Sequence, residues 1–389
     1  MATPGESGIK ILKDQTITID LKGHTINRNL TAEVSDGYVI YNNEGTLTIK
    51  DSVGGGKITG GWTSTHGGGI YNNGTLTLES GTISGNKAHT YGGGVYNYEH
   101  RLFTMNGGSI LGNTAQFGGG VYNYDYMTMC GGTITGNTAT ERGGGIFSSN
   151  ASFSIGNGSV INVTGNKAAG TENNVYLSPS APMTVNSVPA AGSKLGVYYR
   201  NLPKLSESEA WIITRDCKDD ASYLFSDSDD CAVIKDGNMA KLFPAECFTA
   251  LQCLIDGTED GGTLELKRDY LAGFGEDGLY IRPNKIITID LKGHTINRNL
   301  TAATSGEVIC NQGNLTIKDT VGGGMITGGW NNHCGGGVLN YGAFTLTGGT
   351  ISGNKADGYG GGVYNSDTGT FTMTGGTISG NNTLTGGGV

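Results

Sequence analysis

Glu99, Asp125 and Asp367 each stand seven residues after the start of a Gly-Gly-Gly triplet, and Arg101 lies close to the first of them. If the repeats that carry them stack coil on coil, Glu99 and Asp125 become neighbours one strand spacing apart, about 5 Å. Two carboxylates at that separation, beside a guanidinium, could provide general acid and base catalysis on an acidic polysaccharide. Their position is a turn outside the strands, where charge is ordinary, and a lone acidic pair lacks the convergent pocket of an active site. Asp20 and Asp290, followed by Gly-His-Thr at 23–25 and 293–295, invite a similar question. Such a run reads as the first coil of a β-helix, so a structural role is expected of both. No catalytic residue is assigned, and the chain is not expected to be an enzyme.

Metal and redox chemistry are no better supplied. The six histidines are scattered, only His24 and His294 correspond, and there is no His-x-x-x-His, no His/Cys cluster and no C-x-x-C. The glycine-rich calcium nonapeptide of other β-solenoids is also missing. Neither metal nor cofactor is predicted. Of the seven cysteines, Cys130, Cys310 and Cys334 replace Asn106, Tyr41 and His66 at equivalent repeat positions, which makes them ordinary small side chains. Cys217 and Cys231, in a separate segment, form the one pair worth testing for a disulfide.

Two outward rows can bind. Tyr71, Tyr96, Tyr122, Phe147 and Tyr364 share one repeat position directly after an inward Val or Ile, and Tyr98 and Tyr124 follow two residues after Tyr96 and Tyr122. Aromatic rings at strand spacing can stack on sugar rings or anchor a protein partner, so Tyr71, Tyr96, Tyr98, Tyr122, Tyr124 and Tyr364 are the candidate binding residues. Ladders of like side chains also stabilise parallel coils, which is the structural alternative. The second row, from Thr82 and Ser84 through Ser109, Thr133, Thr135, Thr350, Ser352, Thr377 and Ser379, would suit ice, but Leu111 breaks it and ordinary strand propensity accounts for it.

The elements that position these rows follow from two nested periods. Ile17 to Leu30 returns letter for letter as Ile287 to Leu300, and Gly54 to Trp62 is answered by Gly322 to Trp330 with two residues lost, a loss expected in the loop after Leu300. Within each copy the triplets begin at Gly67, Gly92, Gly118 and Gly143, then at Gly335, Gly360 and Gly386, at steps of 25 or 26 residues. Each step holds three short strands, around Val95-Tyr96-Asn97, Phe103-Thr104-Met105 and Ser109-Ile110-Leu111. Strands this short cannot make a sandwich, but stacked on their copies they satisfy every backbone group and bury one face continuously. The fold class predicted is all-β, a right-handed three-faced parallel β-helix in two tandem units. Ile83 and Ile134 point inward between outward hydroxyls. Asn86, Asn113, Asn137, Asn166, Asn354 and Asn381 should form a coil-to-coil amide ladder.

Both ends of such a helix need covers. Pro244 to Asp256 places Cys247, Phe248, Leu251, Leu254 and Ile255 on one helical face with Gly257 as a stop, a short α-helix capping the second unit. Val233 to Leu242 carries Asp-Gly between alternating strands, a hairpin able to close the first unit. The organisation expected is a first unit at 1–190, its end coil and closing hairpin at 191–243, and a second unit at 244–389. By the repeat offset Met1 answers Leu271 and Val389 answers Val121, so both outer ends read as cuts from a longer array.

Composition fits. Seventy glycines with no Gly-X-Y register exclude collagen, while regularly spaced Val, Ile, Tyr and Thr runs argue against disorder. The net charge of −9 without a Lys/Arg cluster gives no footprint for nucleic acid, and no long apolar run predicts membrane insertion.

Ile83-Ser-Gly-Asn86 followed by Gly92-Gly-Gly-Val95 resembles the paired F-x-x-N and G-G-A-(I/L/V) repeats of chlamydial polymorphic outer membrane proteins. It is closer still to the right-handed parallel β-helix repeat surface proteins of gut Clostridia and spirochaetes. Asn173-Asn-Val-Tyr-Leu177, Ser226-Asp-Ser-Asp-Asp230, and Ala250 to Asp256 followed by Gly261-Gly-Thr-Leu264 are similar to the ends and beginnings of such units. Here Ile stands for the family's Phe and a third Gly for its Ala, so no autotransporter barrel is carried over. The resemblance covers nearly the whole chain and implies a secreted or surface-displayed, extracellular, adhesin-like bacterial protein. Its expected partners are a host glycan or a secreted host protein such as mucin or immunoglobulin, besides neighbouring units of the same array. A passive stalk and a polysaccharide-degrading enzyme are the alternatives.

Overall fold

The computed structural model describes residues 6–148, 151–156, 158–178, 181–199, 211–214, 221–273 and 275–389. The chain is an all-β parallel solenoid that divides into two compact units, the second beginning at Phe243 and including Asp230–Ala232. In the first unit, Val95–Asn97, Leu102–Met105 and Ser109–Leu111 make one coil, and each strand pairs in parallel with its copies in the preceding and following coils. In-register stacking gives each backbone N–H and C=O a partner in a neighbouring coil, so very short strands become stable together. A fourth, shorter ladder that the sequence reading did not contain runs through Lys87–Ala88, Thr114–Phe117 and Thr138–Arg142.

The inward row is apolar. Ile58, Ile83, Ile110, Ile134 and Val163 follow one another in register, fully buried between half-buried or exposed neighbours, as the alternation required. The glycine triplets close the coil corner. Gly92 takes a φ of 64°, which glycine reaches without strain, while a Cβ on Gly93 would come within 2.4 Å of the Thr114 carbonyl in the next coil.

The asparagine ladder is continuous. Asn86 Nδ2 donates to Asn113 Oδ1 at 3.1 Å, Asn113 to Asn137 at 3.0 Å, Asn137 to Asn166 at 2.9 Å and Asn166 to Asn174 at 2.9 Å. Asn354 and Asn381 repeat the contact at 3.0 Å in the second unit. A second ladder, absent from the sequence reading, joins Asn42, Asn72, Asn97 and Asn123 in the first unit and Asn311, Asn340 and Asn365 in the second. Its signal was a polar residue two places after an inward Val, on the buried side of the alternation.

The second unit opens with the helix Phe248–Gly257, whose Phe248, Leu251 and Ile255 join the core formed with Leu266, Tyr270, Leu279 and Ile281. Burial of each of these three side chains contributes about 1.5–3 kcal/mol. The Glu276 carboxylate accepts the N–H groups of Phe248 and Thr249 at 3.0 and 2.7 Å, placing an anion where the helix dipole favours it. Two expectations are corrected. Leu254 is 45% exposed, because 248, 251 and 255 define the buried stripe and 254 lies off its edge. Gly257 is the last helical residue rather than the residue beyond the end, and Thr258 caps the helix through its N–H to the Leu254 carbonyl.

In a three-stranded sheet the strand Met239–Pro244 lies between Cys231–Asp236 and the antiparallel Trp211–Thr214, with Gly237 in the hairpin turn and Val233–Leu242 in the first unit. Ile213, Ile234, Ala240 and Leu242 form its buried side, and Met183 N–H donates to the Ile213 carbonyl at 2.8 Å. The two residues missing from the second copy are not both in the loop after Leu300. One is lost there, whereas the other is Glu44, an extra residue at φ 61° inside Ile40–Lys50 that shifts the register between Asn43 and Thr46. Among the described residues no helix is long and apolar enough to cross a membrane. Cys217, and with it the Cys217–Cys231 pair, lies outside the described residues.

Candidate functional site: the aromatic face of the first unit

The outward row on the first face of this unit is longer than the repeat motif suggested. Tyr41, Tyr71, Tyr96, Tyr122, Phe147, Tyr176 and Tyr198 occupy one register position. Parallel pairing sets rings about one strand spacing apart, and the centroids from Tyr41 to Tyr176 fall between 4.9 and 5.5 Å. Phe147 and Tyr176 are stacked face to face at 0°, while the Tyr41–Tyr71 pair meets edge to face at 83°. Both geometries suit the ring quadrupole when offset or perpendicular.

A second aromatic column lies over this row. His66, Tyr91 and Phe117 bridge to one another from coil to coil, with His66 4.9 Å from Tyr96, Tyr91 4.4 Å from Tyr122 and Phe117 5.5 Å from Phe147. The Arg142 guanidinium lies over Tyr176 at 5.5 Å. Tyr96, in an outward position, is therefore only 4% exposed. Burial pushes the Tyr71 and Tyr122 phenols up to about 12, and burial together with neighbouring phenols raises Tyr96 as well. Burial lowers His66, so its ring stacks as the neutral imidazole.

What solvent meets is the rim. Tyr98 and Tyr124 follow the strands, one coil apart with centroids 6.4 Å from each other, and are 37% and 48% exposed. Tyr126, 52% exposed, and Leu102, its register partner in the preceding coil, extend the patch. Neither was picked out in the sequence, since each opens its strand at an outward position that holds Thr75 in the coil before Leu102. Tyr364 belongs to the second unit, in register with Leu339, where no aromatic row forms.

Beside the rim, the Glu99–Asp125 pair is occupied. His100, at φ 59°, lies within 3.6 Å of Glu99 and gives its backbone N–H to Asp125 at 2.9 Å, with Nδ1 3.1 Å from the same carboxylate. Arg101 Nε donates to Asn73 at 2.9 Å, and Arg101 reaches Glu44 at 4.0 Å. These contacts make a solvent-exposed charge network holding the turn that carries Tyr98.

The Asp20 and Asp290 carboxylates hold turns. Asp20 accepts Lys22 and Ser52 N–H groups, and buried Asp290 accepts Lys292 N–H together with the Thr320 N–H and hydroxyl, with Lys292 and Lys318 within 3.7 Å. Among the described residues, no group of three or more His, Cys, Asp or Glu side chains is placed to hold a metal ion.

Comparison of the chain with family models, with curated proteins and with solved structures returned no match.

Proposed function

We propose that this chain is part of an extracellular, surface-displayed, adhesin-like repeat protein of the clostridial and spirochaetal type. In this reading its first unit holds a host glycan, or a secreted host protein such as mucin or immunoglobulin, without catalysing a reaction. The observation that carries the reading is the exposed rim of Tyr98, Tyr124, Tyr126 and Leu102, mounted on a stacked ring ladder at one-coil spacing. Rigid rings have few rotamers to immobilise, so a repeating partner that meets them in register loses little entropy on binding. The test is a glycan and host-protein binding screen of the wild type against a Tyr98→Ala/Tyr124→Ala variant. Binding that falls by about tenfold or more in the variant supports the reading, as aromatic anchors of this kind carry such losses. A ligand held equally by both proteins would exclude this face.

A second reading, a passive stalk, is favoured by the coverage of Tyr96, Phe147 and Tyr176, which makes three of the seven rings of the ladder internal packing. It expects no ligand in the same screen, and a cost of about 3 kcal/mol in unfolding free energy for Tyr96→Ala. A third, polysaccharide cleavage, would require activity that disappears in Glu99→Gln. His100 between the two carboxylates speaks against it.

A further inference from the structure

In the second unit the positions of three rings of the first unit's aromatic face carry no ring. Applying the repeat offset, Leu339 stands for Tyr71, Cys334 for His66 and Ser366 for Tyr98, while Gly369 takes the place of Arg101. The strand register of this face is kept, with Ile309, Val338 and Val363 stacked and fully buried beneath it. Without those rings this face has a hollow. It measures about 590 Å³ and is lined by Leu339, Tyr341, Tyr364, Glu307, Asn331 and Asp367 among others. Sites of this size take small molecules.

We propose that this hollow is a second binding site, for a small neutral saccharide. Tyr364 and the exposed Tyr341 offer ring faces to the C–H side of a pyranose. Around them are groups that pair with sugar hydroxyls: the Glu307 carboxylate, held by Asn331 Nδ2 at 2.7 Å, the exposed Asp367 carboxylate, and the Ser366 and Thr368 hydroxyls 3.2 Å apart. No lysine or arginine lines the hollow, and its two carboxylates disfavour an acidic sugar. The inference shares with the proposed function the premise of saccharide recognition, but it rests on a different unit and different residues.

The experiment uses the full chain with galactose, mannose and N-acetylglucosamine as neutral probes and N-acetylneuraminic acid as the acidic one, read by saturation-transfer NMR and calorimetry. At least one neutral sugar should bind with a Kd on the order of millimolar. Leu339→Tyr, which refills the hollow with the residue the first unit already accommodates at that place, should weaken it by about tenfold or more, and Tyr364→Ala likewise. Circular dichroism confirms that each variant is folded. The Leu111→Thr protein, changed at an exposed position on a different face, should bind these sugars as the wild type does. Absence of binding by every neutral sugar, unchanged binding in folded Leu339→Tyr, or equal binding of the acidic sugar would overturn the proposal. Loss in Tyr98→Ala/Tyr124→Ala alone would overturn it while leaving the first unit's role standing.

Discussion

On the first face of one unit the outward row reads Tyr41, Tyr71, Tyr96; the equivalent positions of the other read Cys310, Leu339, Tyr364. The inward rows beneath are interchangeable: Ile40, Ile70 and Val95 against Ile309, Val338 and Val363, every one fully buried. Coil stacking therefore fixes the interior and leaves the outer row free. The outer row accordingly holds whatever distinguishes the two copies, a ring wall in one and a hollow in the other.

The equivalence of the interiors can be broken most forcefully at the amide ladder. Asn113 accepts both the N–H and the Nδ2 of Asn86 and donates to Asn137 and the Ile83 carbonyl. Asn354 accepts Gly329 N–H and donates to Asn381 and the Ile326 carbonyl. Leucine at either place leaves several buried groups unpaired, each costing about 1–3 kcal/mol. Asn113→Leu and Asn354→Leu should each lower the unfolding free energy by about 4 kcal/mol in urea titrations. A large loss in one and none in the other would show that the interiors differ.

The contrast in the outer rows can be sharpened with alkali. Tyr71 and Tyr122 have phenols raised to about 12 by burial, against about 10 in the unfolded chain. Their contribution to stability is full below pH 10 and is lost as pH rises through 12, because only the unfolded chain releases these protons in between. Tyr71→Phe/Tyr122→Phe should move the alkaline unfolding midpoint up by roughly half a pH unit, followed by circular dichroism and tyrosinate absorbance. A midpoint that stays in place would mean these phenols reach water without unfolding.

The smallest effect belongs to Asp227, at the end of the first unit's ladder. Burial comes first among the causes that push its carboxyl up to about 6, with the charge of Glu172 acting in the same direction and two N–H groups of Asn174 opposing. A raised acid favours the fold while protonated, so stability is full below about pH 4 and declines as pH rises to about 6. Asp227→Asn should flatten denaturant midpoints across that interval. An unchanged slope would place the titration elsewhere.

Much of this fold was legible in the sequence because a solenoid repeats its instructions. Ile83, Ile110 and Ile134 announced the interior by alternation, Asn86 to Asn166 announced the first ladder by position, and Phe248, Leu251 and Ile255 announced the capping helix by helical spacing. The candidate site was legible only in part. Alternation says that Tyr96 leaves the coil, but not that His66 and Tyr91, carried by the neighbouring corner, fold back over it. The exposed residues are consequently Tyr98, Tyr124 and Tyr126 rather than the stripe itself. Glu44 was missed because a single extra residue within a continuous strand leaves no turn signal.

From side chain to side chain the amide ladder has a direction, since each Asn Nδ2 donates to the Oδ1 of the next Asn along the chain. Asp227 receives Asn174 N–H and Nδ2 and, as a carboxylate, has nothing to pass on. In polymer terms asparagine is the propagating monomer and aspartate the chain terminator. The length of such a column is then written by where the acidic residue falls, and inserting or deleting whole coils upstream of it resets the length without changing any coil's local chemistry.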